Sequence, residues 1–231
     1  MSDHSLNAAI LAVDTTGERG SIALVYEDGA VQEVQLDSPD GFAHLLFGEI
    51  EALLKRAGIG YGDIEAFASA SGPGSFTGVR VGLTAVKGLA EATGRPAIAV
   101  SNLQALALFG GTHLRATVID ARRGEIYGAV YNDKLGVVQE EVVMKLDAWL
   151  AQLPEGETEF VTLAKSPGGQ AAESIAKALP GPVIEAPAAL AGAIGRIAWD
   201  RLRRGLAQDP AEIDANYVRR SDAELLWKDP K

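Results

Sequence analysis

The 231-residue chain predicts an α/β fold of two lobes built to one plan. The order βββαβαβα is read once over residues 1–112 and again over residues 113–208, and such an order is harder to produce by accident than scattered residue identity. Each reading opens on an apolar run that ends in an aspartate, Asp14 and then Asp120, and turns back into another strand. Between them SGPGSFTGVRVG, Ser71 to Gly82, joins a buried strand to a helix through a glycine turn.

In the first half, residues 8–14 (AAILAVD) and SIALVYE flank a turn over Thr15 to Gly20, and Asp28-Gly29 turns the chain into a third strand, Val31 to Leu36. Ser38 to Asp40 marks a helix start, and the helix runs from Phe42 to Ala57 and stops at Gly58. Leu46, Ile50, Leu53 and Ala57 line one face of it, and Phe47 and Leu54 widen the apolar arc beyond what one sheet contact needs. Ala66 to Ala70 has the small apolar character of a fully buried strand.

Ser75 and Thr77 are candidate caps for the helix that follows, which ends at Gly94. Val79, Leu83, Val86 and Ala90 form one apolar stripe on it; Gly78, Gly82, Ala85 and Leu89 form a second; Arg80, Thr84, Lys87 and Glu91 are the only polar line. Glycine costs a helix about 1 kcal/mol against alanine, so something must approach the Gly78/Gly82 side closely. Either the chain's own sheet or another helix satisfies that requirement. A strand at Ala97 to Val100 and a Ser101-capped helix, Asn102 to Phe109, complete the first half.

The second half opens with RATVID (115–120), a turn over Ala121 to Gly124, EIYGAVY and a strand near Val137 to Val143, so its hairpin repeats the first with a turn shorter by two residues. A helix near Leu146 to Leu153, a strand from Glu159 to Leu163, a helix after Gly168-Gly169, a strand at Val183-Ile184 and a long helix from Ala188 to Leu206 follow. Residues 209–231, with Tyr217, Arg219, Arg220 and Trp227, lack periodicity and are expected to lie against the body.

A hydrophobic share of 47% and a charged share of 23% describe a soluble globular chain, and charges interrupt every long apolar run, so neither a secretory leader nor a membrane span is expected and the location is cytoplasmic. With no cysteine, a disulfide framework, a thiol nucleophile and a Cys-ligated zinc are excluded. A net charge of −10 argues against direct gripping of nucleic acid, despite the pairs Arg122/Arg123, Arg203/Arg204 and Arg219/Arg220.

The two acid-bearing hairpins, Asp14 to Gly20 and Asp120 to Gly124, can face a nucleotide phosphate and its metal across a cleft; Thr15 and Thr16 supply hydroxyls on one side. The second turn carries Ala121 and two bulky arginines where glycine would admit a phosphate, so the site is degenerate or shared. Ser71 to Gly82 fits neither a P-loop, having no Gly-Lys five residues after Gly72 or Gly74, nor a dinucleotide fingerprint, since Thr77 takes the third glycine position. His4, His44 and His113 are scattered; Gly48 stands four residues after His44, where a second ligand would be, so a structural or interface role is expected for His44.

The strings ILAVDTT, SGPGSFTGVRVGLTAVKGLA, VIDARRGEIYGAVY and NYVRR, with Trp227-Lys228 in the tail, together resemble the TsaB (YeaZ) family of bacterial tRNA threonylcarbamoyladenosine biosynthesis proteins over nearly the full length. The resemblance implies an actin-like, sugar-kinase-like (ASKHA) ATPase fold. It implies a non-catalytic partner and activator of the paralogue TsaD, the threonylcarbamoyl transferase that modifies tRNAs beside the anticodon, with the ATPase TsaE joining the assembly. The catalytic paralogue carries His-x-x-x-His after the same glycine turn and helix, where this chain has Asn102 and Leu106, so no metal is expected here.

By the same resemblance the first two helices meet TsaD, or a second copy when TsaD is absent, with tRNA reached only through the complex. The residues implied are His44, Leu46, Phe47, Ile50, Leu53 and Leu54 on one helix and Gly78, Arg80, Gly82, Leu83, Ala85 and Lys87 on the other. The nucleotide-facing residues are Asp14, Thr15, Thr16, Asp120 and Arg122, with ATP or ADP and magnesium at the complex interface rather than intrinsic to the chain. Two rival readings are an ATPase or small-molecule kinase of this fold, opposed by the degenerate turns, and a glycopeptidase-like metalloprotease, opposed by the missing histidine pair.

Overall fold

A computed structural model describes residues 8–164 and 175–218. Its first sheet contains β1 (Ala9–Asp14), β2 (Arg19–Tyr26), β3 (Val31–Asp37), β4 (Ile64–Ala70) and β5 (Ala97–Val100), in the order β3-β2-β1-β4-β5. Its second contains β6 (Leu114–Asp120), β7 (Glu125–Asn132), β8 (Val137–Lys145), β9 (Thr158–Leu163) and β10 (Val183–Ala186), in the order β10-β9-β6-β7-β8. Read from the other edge, the second order is the first again. In each sheet the opening strand is central, antiparallel to its hairpin partner and parallel to the strand after the first helix. The duplicated α/β plan expected from the order of elements is therefore present.

Period-two alternation explains why AAILAVD is apolar throughout. Ala9, Leu11 and Val13 face the layer formed by α1 (Leu46–Ala57) and α2 (Phe76–Thr93), while Ile10 and Ala12 face the molecule's interior. Every residue of β1 is buried because both faces of its sheet are covered. In the second sheet Trp149, on α4 (Leu146–Leu150), packs against Phe160 with ring centroids 6.5 Å apart and joins a cluster with Val118, Ile126 and Val130.

The inner faces meet α3 (Asn102–Ala107) and α5 (Ala191–Arg203), and here packing departs from the division at residue 112. Leu103 and Ala107 of α3 pack on Ala129 and Tyr131 of the second sheet. Ile194, Ile197 and Trp199 of α5 pack on Ile10, Ala12 and Val25 of the first, and the Trp199 indole N–H donates to the Val25 carbonyl at 2.6 Å. Gly195 admits this approach: a Cβ there would stand 2.3 Å from a Val25 methyl. Each half of the chain thus lends its closing helix to the other half's sheet.

Several boundaries move for local reasons. The first helix begins at Leu46 rather than Phe42, because Phe42 buries its ring beneath Gly20 and Leu45 and Leu46 turn over its carbonyl; no side chain in Ser38 to Asp40 caps the helix, whose N-cap is Leu45. The second starts at Phe76 with Ser75 as its cap, the serine oxygen accepting from the Gly78 N–H at 3.3 Å. Ser101 caps α3 as expected, accepting from Leu103 and Gln104, but the helix ends at Ala107 and tightens through i→i−3 bonds to Gly110. The fourth helix stops at Leu150, and α5 is shorter at both ends than Ala188 to Leu206. Residues 175–178 are helical; Gly168-Gly169 and the start of that predicted helix lie outside the described residues, as do His4, Arg219, Arg220 and Trp227. Among the described residues no helix is long and apolar enough to cross a membrane.

Candidate functional site

The ends of β1 and β4, the start of α2, the β6–β7 turn and the last described residues border a cleft of about 1120 Å³ between the sheets. Asp14, Thr16, Asp120 and Arg122 all line it. Thr15, the fifth residue expected there, does not. Alternation turns Thr15 inward, where its hydroxyl donates to the Gly78 carbonyl at 2.7 Å.

That inward turn also accounts for the glycine stripe. A Cβ on Gly78 would stand 2.0 Å from the Thr15 carbonyl oxygen, and one on Gly82 would stand 2.7 Å from the Thr15 hydroxyl and 2.9 Å from that of Ser69. The chain's own sheet is what approaches this side of α2, so the stripe requires no partner helix.

Asp14 is buried and its oxygens are spoken for. One accepts from the Thr16 N–H at 3.0 Å and the Thr16 hydroxyl at 2.6 Å, and the other accepts from the Leu190 N–H at 2.9 Å. Burial pushes its carboxyl above the ordinary value, against the downward pull of the Thr16 and Leu190 bonds. The Thr16 hydroxyl accepts in turn from the Asn102 amide at 2.7 Å, and the Asn102 carbonyl oxygen accepts from the Gly72 N–H at 3.0 Å. Asn102 therefore pins the β1 turn to the loop after β4, whose Gly72–Pro73 peptide is cis. Leu106, one helical turn on, is buried in the apolar layer between the sheets.

On the facing wall Asp120 accepts from the Arg122 N–H at 2.8 Å. Arg122 and Arg123 take the left-handed conformation, φ 61° and 57°, and Gly124 follows at 74°. The turn thus has the backbone that glycines adopt, while two long side chains stand where glycine would leave room.

Asp14 accepts three hydrogen bonds, from the Thr16 N–H and hydroxyl and from the Leu190 N–H, Thr15 is turned away from the cleft, and among the described residues no group of three His, Asp or Glu is placed to hold a metal.

The expected helix face divides in two. Leu46, Ile50, Leu53, Leu54, Leu83 and Ala85 are buried in the chain's own core with Leu11, Val13 and Leu24, and Gly78 and Gly82 are buried against β1 and β4. Of these eight, Leu46 and Ala85 also reach the floor of a groove between the two helices, and the other six face inward. The exposed side chains from that set are His44, Phe47 and Arg80, with Lys87 half-buried. Phe47 and Arg80 line this groove, of about 450 Å³ between α1 and α2, together with Leu46, Phe76, Val81 and Ala85. Phe47 and Phe76 are 49% and 43% exposed, unusual for aromatic side chains with free apolar area beside them. The sequence offered one sign of Phe76: a phenylalanine inside an otherwise small and polar turn.

Two predicted contacts are engaged by the chain itself. The Arg80 guanidinium lies 3.8 Å from the Phe76 ring centroid and donates to the Tyr217 hydroxyl at 3.3 Å, while the Lys87 ammonium donates to the Ala211 carbonyl at 3.3 Å.

A family model described as TsaD, tRNA N6-adenosine threonylcarbamoyltransferase, matches residues 41–193. The chain is 31% identical to the tRNA threonylcarbamoyladenosine biosynthesis protein TsaB of Bacillus subtilis, over 94% of this chain and 97% of that one. It is similar to the solved structure of YeaZ from Pseudomonas aeruginosa, with 25% identity, a TM-score of 0.76, and coverage of 91% of this chain and 99% of that one. In fold alone, at 8% identity and a TM-score of 0.52, it is similar to (R)-2-hydroxyglutaryl-CoA dehydratase component A of Acidaminococcus fermentans, over 85% of this chain and 99% of that one. The fold is the actin-like ATPase fold.

Proposed function

The chain belongs to the TsaB family of tRNA threonylcarbamoyladenosine biosynthesis proteins, and from that premise we propose that it is a non-catalytic partner that docks on and activates the TsaD threonylcarbamoyl transferase. The observation that carries the non-catalytic part is the state of the cleft. Asp14, Thr16 and Asn102, the polar groups at the position of an ATP-dependent centre, satisfy one another and the backbone, and Leu106 stands where a second metal ligand would be. In this reading these groups serve to hold three loops together rather than to act on a substrate.

The docking part is supported by the groove between α1 and α2. Its exposed phenylalanines and the single arginine beside them have the composition of an interface centre. An ordinary complex buries roughly 800 Å² on each partner. In this reading the free chain pairs with itself through the same groove, TsaE joins the assembled pair, any ATP or ADP with magnesium is held at the shared interface, and tRNA is met through the complex.

Sedimentation of the chain alone and mixed with the TsaD of the same organism tests the docking. A one-to-one complex formed at the expense of a homodimer is expected, and Phe47→Glu should abolish it while leaving the circular dichroism and the unfolding midpoint unchanged. ATP turnover by the isolated chain, lost on changing Asp14, would overturn the non-catalytic reading.

A further inference from the structure

Before it reaches the cleft, the C-terminal segment is tied to the body at several points. Gln208 pairs with Ala97 at the edge of the first sheet, the Ala211 carbonyl accepts from Lys87, and Ile213 is buried in the core beneath α2. The segment therefore runs along α2 from the Lys87 turn towards the Arg80 turn. At the cleft two consecutive residues make contacts of different kinds.

Asn216 holds both lobes. Its N–H donates to the Ser71 carbonyl, just past β4, at 2.8 Å, and its amide donates to the Glu141 carboxylate on β8 at 2.5 Å. Glu141 is itself fixed: it accepts from the Tyr131 hydroxyl at 2.7 Å and from Ser101, the cap of α3. One carboxylate thus gathers the second sheet, the helix the first half lends to it, and the tail. The Asn216 carbonyl passes so close to Gly72, whose φ is +97°, that an added Cβ would lie 3.4 Å from it.

Tyr217 faces the other way. Its ring packs on Phe76, centroids 5.9 Å apart, and its hydroxyl accepts from Arg80. Phe76 and Arg80 line both the cleft and the α1–α2 groove. The residue that reports how the lobes are set is therefore bonded directly to the residue that seats two side chains of the groove.

We propose that residues 213–217 are a strap that couples the setting of the two lobes to the shape of the α1–α2 groove, with Asn216–Glu141 as its sensing end and Tyr217–Arg80–Phe76 as its output. The coupling rests on the reading of the groove as the TsaD docking face. Asn216 and Glu141 do not line that groove, so they act on docking only through the strap, as positioning residues. Loss of one interlobe hydrogen bond to a carboxylate is worth roughly a tenfold change in an equilibrium that depends on it.

The test is titration of the full chain with TsaD. Asn216→Ala and Glu141→Ala are each expected to change the affinity about five- to tenfold, with the thermal midpoint of Asn216→Ala close to wild type. In a Tyr217→Ala background, either change should have no further effect on affinity, because the output end is already gone. A purely structural role for the Asn216–Glu141 bond would lower the midpoint and leave that non-additivity absent. If wild type binds TsaD and folded Asn216→Ala binds it equally well, or if the Asn216 and Tyr217 effects simply add, the strap is refuted. Failure of wild type itself to bind would instead refute the docking reading. Should Glu141→Ala fail to fold, the Asn216→Ala and Tyr217→Ala cycle decides alone.

Discussion

Two glycines on one helix show how far a residue's meaning depends on what lies across from it. Gly78 and Gly88 are both helical, yet a Cβ on the first would meet the Thr15 carbonyl at 2.0 Å and a Cβ on the second would meet nothing within 4 Å. Gly78→Ala is expected to cost at least about 3 kcal/mol or to prevent folding, and Gly88→Ala to stabilise by up to about 1 kcal/mol, as read from urea unfolding. Equal effects at the two sites would show that α2 does not lie on β1 as described. Asp14 supplies a second expectation. Its carboxyl is raised from 3.8 by burial, so folding favours the protonated form. That contribution is fully present below 3.8 and is lost as the pH rises through the folded value. Relative to Asp14→Asn, which does not titrate, wild type should gain stability on acidification; a gap between the two that is flat with pH would contradict the burial of an ionisable group there.

At the scale of elements, α1 shows why a wide apolar arc is ambiguous in a sequence. Leu46, Ile50, Leu53 and Leu54 all face the core, while Phe47, which continues the same arc, is left outside. Neighbours in the sequence should therefore respond in opposite ways. Leu46→Asp places a charge in the core and should unfold the chain, whereas Phe47→Glu should leave it folded and cost only partner binding. If Leu46→Asp folded normally, the inward face of α1 would be wrong. The polar line of α2 was equally misleading read alone: Arg80 and Lys87 face neither bulk water nor a partner only, because the tail runs beside them.

For the whole molecule, the exchange of α3 and α5 makes the halves interdependent. Residues 1–112 contain a complete first sheet but not α5, the helix that covers its inner face at Ile10, Ala12 and Val25. Expressed alone, that fragment should show no cooperative unfolding transition, having an uncovered apolar sheet face. A sharp transition from the isolated fragment would mean that the sheet is stable without α5. The same interdependence lets the tail matter at a distance, since Asn216 bridges surfaces that only the assembled pair of lobes brings together.

Much of this was legible in the residues. Apolar runs ending in Asp14 and Asp120, Ser75 and Ser101 as caps, and glycines at Gly58 and Gly94 are local signals, because strand alternation, capping and left-handed turns depend on neighbours within a few positions. The repeated order of elements determined the duplicated α/β plan, and the motif strings pointed to the family. The tertiary structure alone decided that Thr15 turns away from the cleft, that the glycine stripe serves β1 and β4 rather than a partner, that each closing helix crosses to the other sheet, and that Asn216 meets Glu141 while Tyr217 meets Arg80 and Phe76. Those outcomes depend on contacts between residues far apart in the chain, 63 positions in Thr15–Gly78, 137 in Arg80–Tyr217 and 174 in Val25–Trp199, and no local periodicity encodes which of several apolar or polar faces a distant segment will cover.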